Sequence, residues 1–266
     1  MRHLLLGSIL VASIGVATLA LASDVTEARQ ELASTGKLRV GVVAAPKADA
    51  FFVVKNADDK PRGVTVDLGD ELARMLNVSS EFFVAHNSGE VTDALEKGLI
   101  DVAFLPVDDE RRKHVEFGPA YVLFESTCLV LGSSDFRTIS DLDRPGVRVG
   151  GETNTTTIRS VARVLKLATI VAIPSVGEAI DMLRSGKIDA FALGRDALAP
   201  YQAQIPDSRI LDGYFHRTGI AIAVPKNRPA ALAQASSFLR ETKASGLIRR
   251  SFDKVGLQST PVAPPD

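Results

Sequence analysis

The chain has 266 residues, 45% of them hydrophobic, which suits one large domain or two of ordinary size with substantial cores. Its 31 basic and 32 acidic residues nearly cancel, arguing against a dominant nucleic-acid or other polyanionic partner. The single cysteine, Cys128, excludes an internal disulfide.

The N-terminal "MRHLLLGSILVASIGVATLALAS" has a basic start at Arg2 and an apolar run from Leu4 to Ala22. It ends in Ala20-Leu21-Ala22, small residues at the two positions a signal peptidase reads. Residues 1–22 are therefore expected to be a cleaved signal peptide. The alternative is an uncleaved anchor, since the run is close to spanning length. No cysteine follows to take a lipid, and Ser23-Asp24 is a polar start that favours release.

Beyond it, short apolar runs alternate with helical patterns. "LRVGVV" (38–43) precedes "GVTVDLGDELARMLN", where Val64, Leu68, Leu72, Met75 and Leu76 fall at helical spacing. Asp67, Asp70, Glu71 and Arg74 take that helix's other face. Then come "EFFVAH" (81–86), the amphipathic "GEVTDALEKG", and "VAFLPV" (102–107). "TCLVLG" (127–132) holds Cys128, which reads as a buried structural thiol. "VRVGG" (147–151), "TTTIRSVARVLK", "TIVAIP" (169–174), "SVGEAIDMLRSG" and "DAFALG" (189–194) continue the alternation. "GIAIAV" (219–224) and the helical "PAALAQASSFLRETKASG" follow, and the Pro-rich end, 258–266, is expected to be a flexible tail. Uninterrupted apolar strands alternating with helices imply an α/β class with largely parallel sheets.

One stretch occurs twice. "LEKGLIDVAF" (95–104) returns as "LRSGKIDAFA" (183–192), a lobe-sized offset of 88 residues with Leu, Gly, Ile and Asp in register. Each copy is a helix, a glycine stop (Gly98, Gly186) suited to a left-handed position, an Ile-Asp turn and a buried strand. Asp101 and Asp189 precede their strands, so turn or capping duty is expected of them. Ligands in open α/β sheets bind beyond the carboxyl ends of strands. The residues there are "PVDDERRK" (106–113) and "GRDAL" (194–198), both with Arg beside Asp. Two lobes facing each other through these edges make a polar cleft.

The mature chain resembles the bacterial extracellular solute-binding proteins of family 3, which serve polar amino-acid ABC transporters. The likeness is carried by "GKLRVGVV", by "KPRGVTVDLGDELARMLNV", by "LEKGLIDVAFLPVDDERRKHVEFGPAYV" and by "ISDLDRPGVRVG", in order over residues 37–257. The resemblance implies a two-lobed periplasmic-binding-protein-like fold, with a hinge of two crossing segments, "FESTCLVL" and "GIAIAVP", and an interlobe ligand cleft. Lobe I is expected over 37–124 plus 221–257, and lobe II over 125–220. It further implies a periplasmic monomer that captures a small amino acid or organic acid by hinge closure and hands it to a membrane permease.

The same resemblance nominates ligand-binding residues. Arg111 matches the arginine that holds the ligand carboxylate, a task suited to a planar guanidinium fork. Asp108 stands where the family usually has threonine; it either serves Arg111 or an ammonium, or caps the turn that follows. Asn154, Thr155 and Thr156 match a Gly-Thr-Thr helix entry, where free N–H groups favour an anion, although capping alone needs no ligand. Asn154 replaces the glycine and can still take a positive φ. Relatives that bind α-amino acids place an aspartate, for the ammonium, where this chain has Gly194. Either Asp196 supplies that carboxylate after a small shift, or Arg195 adds a second cation and the ligand is a more anionic acid. Phe52, with Phe51, stands near the loop where the family stacks an aromatic ring on its ligand, though both could be core.

No cofactor, metal site or catalytic set is nominated. His3, His86, His114 and His216 do not pair at metal-ligand spacing, and phosphate-loop, Cys-x-x-Cys and Gly-x-Ser-x-Gly motifs are absent. Two rival functions stay open. One is a cyclohexadienyl-dehydratase-like enzyme on the same scaffold, with Glu125, Glu152 or Asp108 as general acid. The other is a ligand sensor acting in trans on a membrane receptor.

Overall fold

The computed structural model describes residues 26–45, 48–258 and 260–264, so the signal peptide assigned to 1–22 lies outside the described residues. Helix α1 (26–32) precedes β1 (Lys37–Ala44), β2 (Phe52–Lys55), β3 (Pro61–Arg62), α2 (Val64–Met75), β4 (Ser79–Ala85), α3 (Ser88–Glu96) and β5 (Val102–Pro106). The long β6 (Val115–Leu131) leads to β7 (Arg148–Glu152), α4 (Thr156–Val164), β8 (Thr169–Ile173), α5 (Val176–Arg184), β9 (Ala190–Gly194), α6 (Arg195–Gln204) and β10 (Ser208–Ile210). Then come β11 (His216–Pro225), α7 (Pro229–Ala244) and α8 (Leu247–Lys254).

The strands join in the order β3-β2-β1-β5-β11-β6-β9-β7-β8, with β4 beside β1 and β10 beside β6. In one half β1 runs parallel to β4 and β5; in the other β7 runs parallel to β8 and β9. The antiparallel pair β6 and β11 belongs to both halves, since β11 bonds to β5 and β6 bonds to β9. These two strands are the crossing segments. β6 extends well upstream of the apolar "TCLVLG" run, through Gly118, Pro119 and a stretch of mixed burial that carries no strand-like periodicity. The β6–β11 register slips around Ala221, close to that glycine and proline, which absorbs the irregularity.

β5 and β9, the repeated strands, are buried at every position, as apolar runs flanked on both sides require. Alternate residues along the second lobe's strands divide between two cores. Leu129, Phe191 and Leu193 join the large cluster, which also contains Leu38, Leu72, Phe104 and Phe252. Cys128, Val130, Ala190 and Ala192 join a smaller cluster with Val149, Val161 and Leu142 on the opposite face. Gly98 and Gly186 end α3 and α5 at φ +65° and +69°, the left-handed position expected of them.

Two expectations are corrected. Asp101 and Asp189 do more than shape a turn. Asp101 accepts the backbone N–H of Arg39 and a two-pronged contact from its guanidinium, at 2.9 and 2.6 Å. Asp189 does the same for Arg148, at 3.0 and 2.8 Å. Each repeat therefore pins its strand to the first strand of its own lobe through the same ion pair, far from the cleft. The second correction concerns the tail. Residues 260–264 lie against the first half of β6: Val262 bridges Val122, and the Ala263 N–H donates to the Tyr121 carbonyl at 2.8 Å. Arg249 holds the Thr260 carbonyl at 2.6 Å.

Candidate functional site

Ala44, Pro106, Glu152 and Gly194 are the last residues of β1, β5, β7 and β9, so both lobes bring their carboxyl ends to one cleft. Two constructions fill it. The first is a polar junction around Arg111, which lies in a single 3-10 turn after β5 and is 2% exposed. Its Nε donates to Thr92 Oγ1 at 3.1 Å, and Nη1 donates to the Pro106 carbonyl at 2.9 Å. Nη2 donates to Ser88 Oγ at 2.5 Å. The same Nη1 crosses the cleft to Thr156 Oγ1, at 2.6 Å.

Asp108 makes the second crossing. It accepts the Arg111 backbone N–H at 2.8 Å, the Thr156 hydroxyl at 2.5 Å and a guanidinium N–H of Arg159. Burial alone would raise the Asp108 carboxyl; the bonds from Thr156, the Arg111 backbone and Arg159 outweigh it and hold the group down at about 2. Burial brings Arg111 down to about 9 against the pull of Asp108. Asp108 thus closes its own turn through the Arg111 backbone N–H, while Thr156 and Arg159 of the other lobe take its second oxygen.

Thr155 is a helix cap: its hydroxyl accepts the Ile158 N–H at 3.3 Å and donates to the Glu152 carbonyl at 2.7 Å. Asn154 takes φ 60° and is exposed, with its backbone against Gly89 of α3 across the cleft. A Cβ on Gly89 would fall 2.6 Å from that of Asn154, so only glycine lets α3 and the 152–156 loop come this close.

The second construction is a cavity of about 160 Å³ shared by the lobes. Ala44, Ala45, Phe52 and His86 line it from one side; Glu152, Ser175, Val176, Leu193, Ala197, Pro200 and Tyr201 from the other. Phe52 is set in place by Asp49, whose carboxylate accepts the N–H groups of Phe51 and Phe52, both at 2.6 Å. Tyr121 also holds the Ala50 carbonyl of that loop. Glu152 is 4% exposed, and its carboxyl has no hydrogen bond or salt bridge among the described residues. Burial, aided by the negative charge of Glu90, pushes it up to about 8. Tyr201 is pushed up to about 12, first by burial.

Arg195 and Asp196 do not line this cavity. Arg195 turns outward at the hinge, where it donates to the carbonyls of Leu211 and Gly213 and lies 4.0 Å from Glu125. Asp196 begins α6 at the surface, between that hinge pocket and the 255–257 turn. Nor does Gly194 leave room for an acid. A Cβ there would sit 2.1 Å from Phe124 Cζ, and that ring packs edge-on against Phe51 with centroids 6.3 Å apart. Tyr201 was invisible to periodicity, because α6 contains Pro200 and has little amphipathic pattern. Among the described residues no group of three or more His, Cys, Asp or Glu is placed to hold a metal ion.

Two α/β lobes joined by two shared strands, with polar groups meeting across an interlobe cavity, define a hinged ligand-binding protein. The chain belongs to the bacterial extracellular solute-binding proteins, family 3, matched over residues 38–258. It is similar to a "Probable histidine-binding protein" of Campylobacter jejuni, 27% identical over 95% of this chain and 98% of that one. A solved mutant of ArgBP from T. maritima superposes with a TM-score of 0.74 at 29% identity, over 86% of this chain and 98% of the other. The ancestral amino acid-binding protein AncCDT-1, described as a precursor of cyclohexadienyl dehydratase, gives 0.71 at 26% identity, over 85% and 98%.

Proposed function

We propose that this protein is the periplasmic solute-binding component of an ABC importer, taking a small solute of the amino-acid class into the interlobe cavity and presenting it, lobes closed, to a membrane permease. One observation carries the reading. The groups that cross the cleft, Arg111 and Asp108 to Thr156 and Arg159, and the groups that line the cavity come from both lobes, so only the closed arrangement assembles the complete site. The relatives named for histidine and for amino-acid binding support the solute class. A thermal-shift panel on the mature chain, with L-histidine, L-arginine, L-glutamine and succinate, tests it. Saturation at about 100 times Kd adds roughly 2.7 kcal/mol of stability; no shift with any member would sink the reading.

A second reading is favoured by Glu152 itself. A buried carboxyl held up at about 8 in the interlobe cavity is protonated at neutral pH, the state that the general acid of a dehydratase requires. Incubation with prephenate separates the two: a binder returns it intact, an enzyme converts it.

A further inference from the structure

Four carboxylates are buried among the described residues: Asp49, Asp101, Asp108 and Glu152. The first three are answered, Asp49 by two backbone N–H groups, Asp101 by Arg39, and Asp108 by Thr156 and Arg159. Glu152 has no such partner among the described residues and opens into the cavity. Among the described residues the cavity lining contains no lysine or arginine, and two aromatic side chains, Phe52 and Tyr201, line it with the acid. An anion placed there meets an acid and apolar walls. A cation meets a carboxylate and two aromatic rings, groups that can hold positive charge.

We propose that Glu152 is the acceptor for a positively charged side-chain group of the ligand, an ammonium, guanidinium or imidazolium other than the α-amino group, seated with Phe52 and Tyr201. The proposal rests on the solute-binding reading above and gives it a ligand class. It also reverses the expectation of a more anionic acid, because Arg195, the cation that suggested it, lies outside the cavity. Among the described residues the groups facing Glu152 are Glu90 of α3, Tyr201 of α6 and His86 after β4, with no fixed cation among them. With its carboxyl held up to about 8 by burial and Glu90, Glu152 enters binding mostly protonated near pH 7. Cation binding then ionises it, and the proton leaves to the buffer.

Titration calorimetry of the mature protein with L-arginine, agmatine, L-citrulline and L-glutamate tests this. L-citrulline is the uncharged isostere of arginine, and agmatine keeps the guanidinium without the carboxylate. Arginine or agmatine is expected to bind at least tenfold tighter than citrulline, with a heat that changes with the ionisation enthalpy of the buffer. Glu152→Gln should lose that tenfold preference and the buffer dependence while retaining native circular dichroism. Glu152→Asp should retain part of the preference. Equal binding of the cationic probes by wild type and Glu152→Gln overturns the proposal, as does tightest binding by glutamate or citrulline; either leaves the solute-binding reading standing. Binding by none of the four, together with no thermal shift in the amino-acid panel, overturns both.

Discussion

Glu152 is the residue whose chemistry departs furthest from its free state, and its effect on stability has a definite sign. Its carboxyl is raised in the folded protein from 4.5 to about 8. Between those values the folded state holds a proton that the unfolded state has released, so stability falls as pH rises through this window. At about 1.4 kcal/mol per pKa unit the ceiling is roughly 5 kcal/mol. Glu152→Gln should therefore melt higher than wild type at pH 8 without ligand, and the two should converge near pH 5; parallel melting curves across that range would refute the burial argument. Asp108 has the opposite sign, since it is depressed from 3.8 to about 2. Its contribution is fully present above about pH 4 and is lost as pH falls through 2. Asp108→Asn leaves Arg159 and Arg111 facing each other without compensation, and should cost about 2–4 kcal/mol at pH 7 by denaturant titration. Gly194→Ala should cost about 1–3 kcal/mol through its collision with Phe124, and the penalty should shrink in a Phe124→Leu background. The place of Arg111, just past the carboxyl end of β5, was legible in the sequence because strand and motif are contiguous; its engagement by Thr92, Ser88 and Thr156 was not. The isolation of Glu152 among the described residues was not, because it depends on what α3 and α6 bring to the cavity, which its own neighbours in sequence do not reveal.

At the scale of elements, the two copies of the helix-glycine-strand unit use one device at different depths. Asp101 is fully buried and also faces Arg228 at 3.8 Å, whereas the Asp189 side chain is 29% exposed. Water screens the second pair, so the same substitution should not cost the same. Asp101→Asn is expected to lower stability by about 2–4 kcal/mol and Asp189→Asn by about 1 kcal/mol or less. Equal losses would mean that the pairs are set by geometry rather than burial. The glycines and the buried strands were readable, because 3.6-residue periodicity, a left-handed stop and an apolar run are local facts. The arginines that answer the two aspartates were not, since Arg39 and Arg148 lie 62 and 41 residues away in sequence. The tail teaches the same lesson: Pro-rich composition suggested fraying, while its attachment to Tyr121, Val122 and Arg249 is entirely tertiary. Truncation after Leu257 should lower stability by about 1–2 kcal/mol and speed amide exchange in the first half of β6.

For the molecule as a whole, β6 and β11 make the hinge, and the Arg111–Asp108–Thr156 junction and the Glu152 cavity make the faces that the hinge brings together. Closure without a differential contact would be unexplained. Here the contacts are named, and they divide in two: a junction in which protein groups answer one another, and a cavity where a buried acid is left for a solute. The two-lobed frame was what the family resemblance implied, and the alternation and the lobe-sized repeat agreed with it. The division of labour inside the cleft did not, because Gly194, Phe124 and Phe51 exclude an acid from one corner while β7 presents one at another. The most direct test is a crystal structure of the mature protein with whichever of arginine, agmatine or histidine binds it most tightly. The expected result is the cationic group within hydrogen-bonding distance of Glu152, beside Phe52 and Tyr201, with Arg111 still bonded to Thr156. A ligand seated instead against Arg195 and Asp196 at the hinge, or one whose charge points away from Glu152, would contradict it.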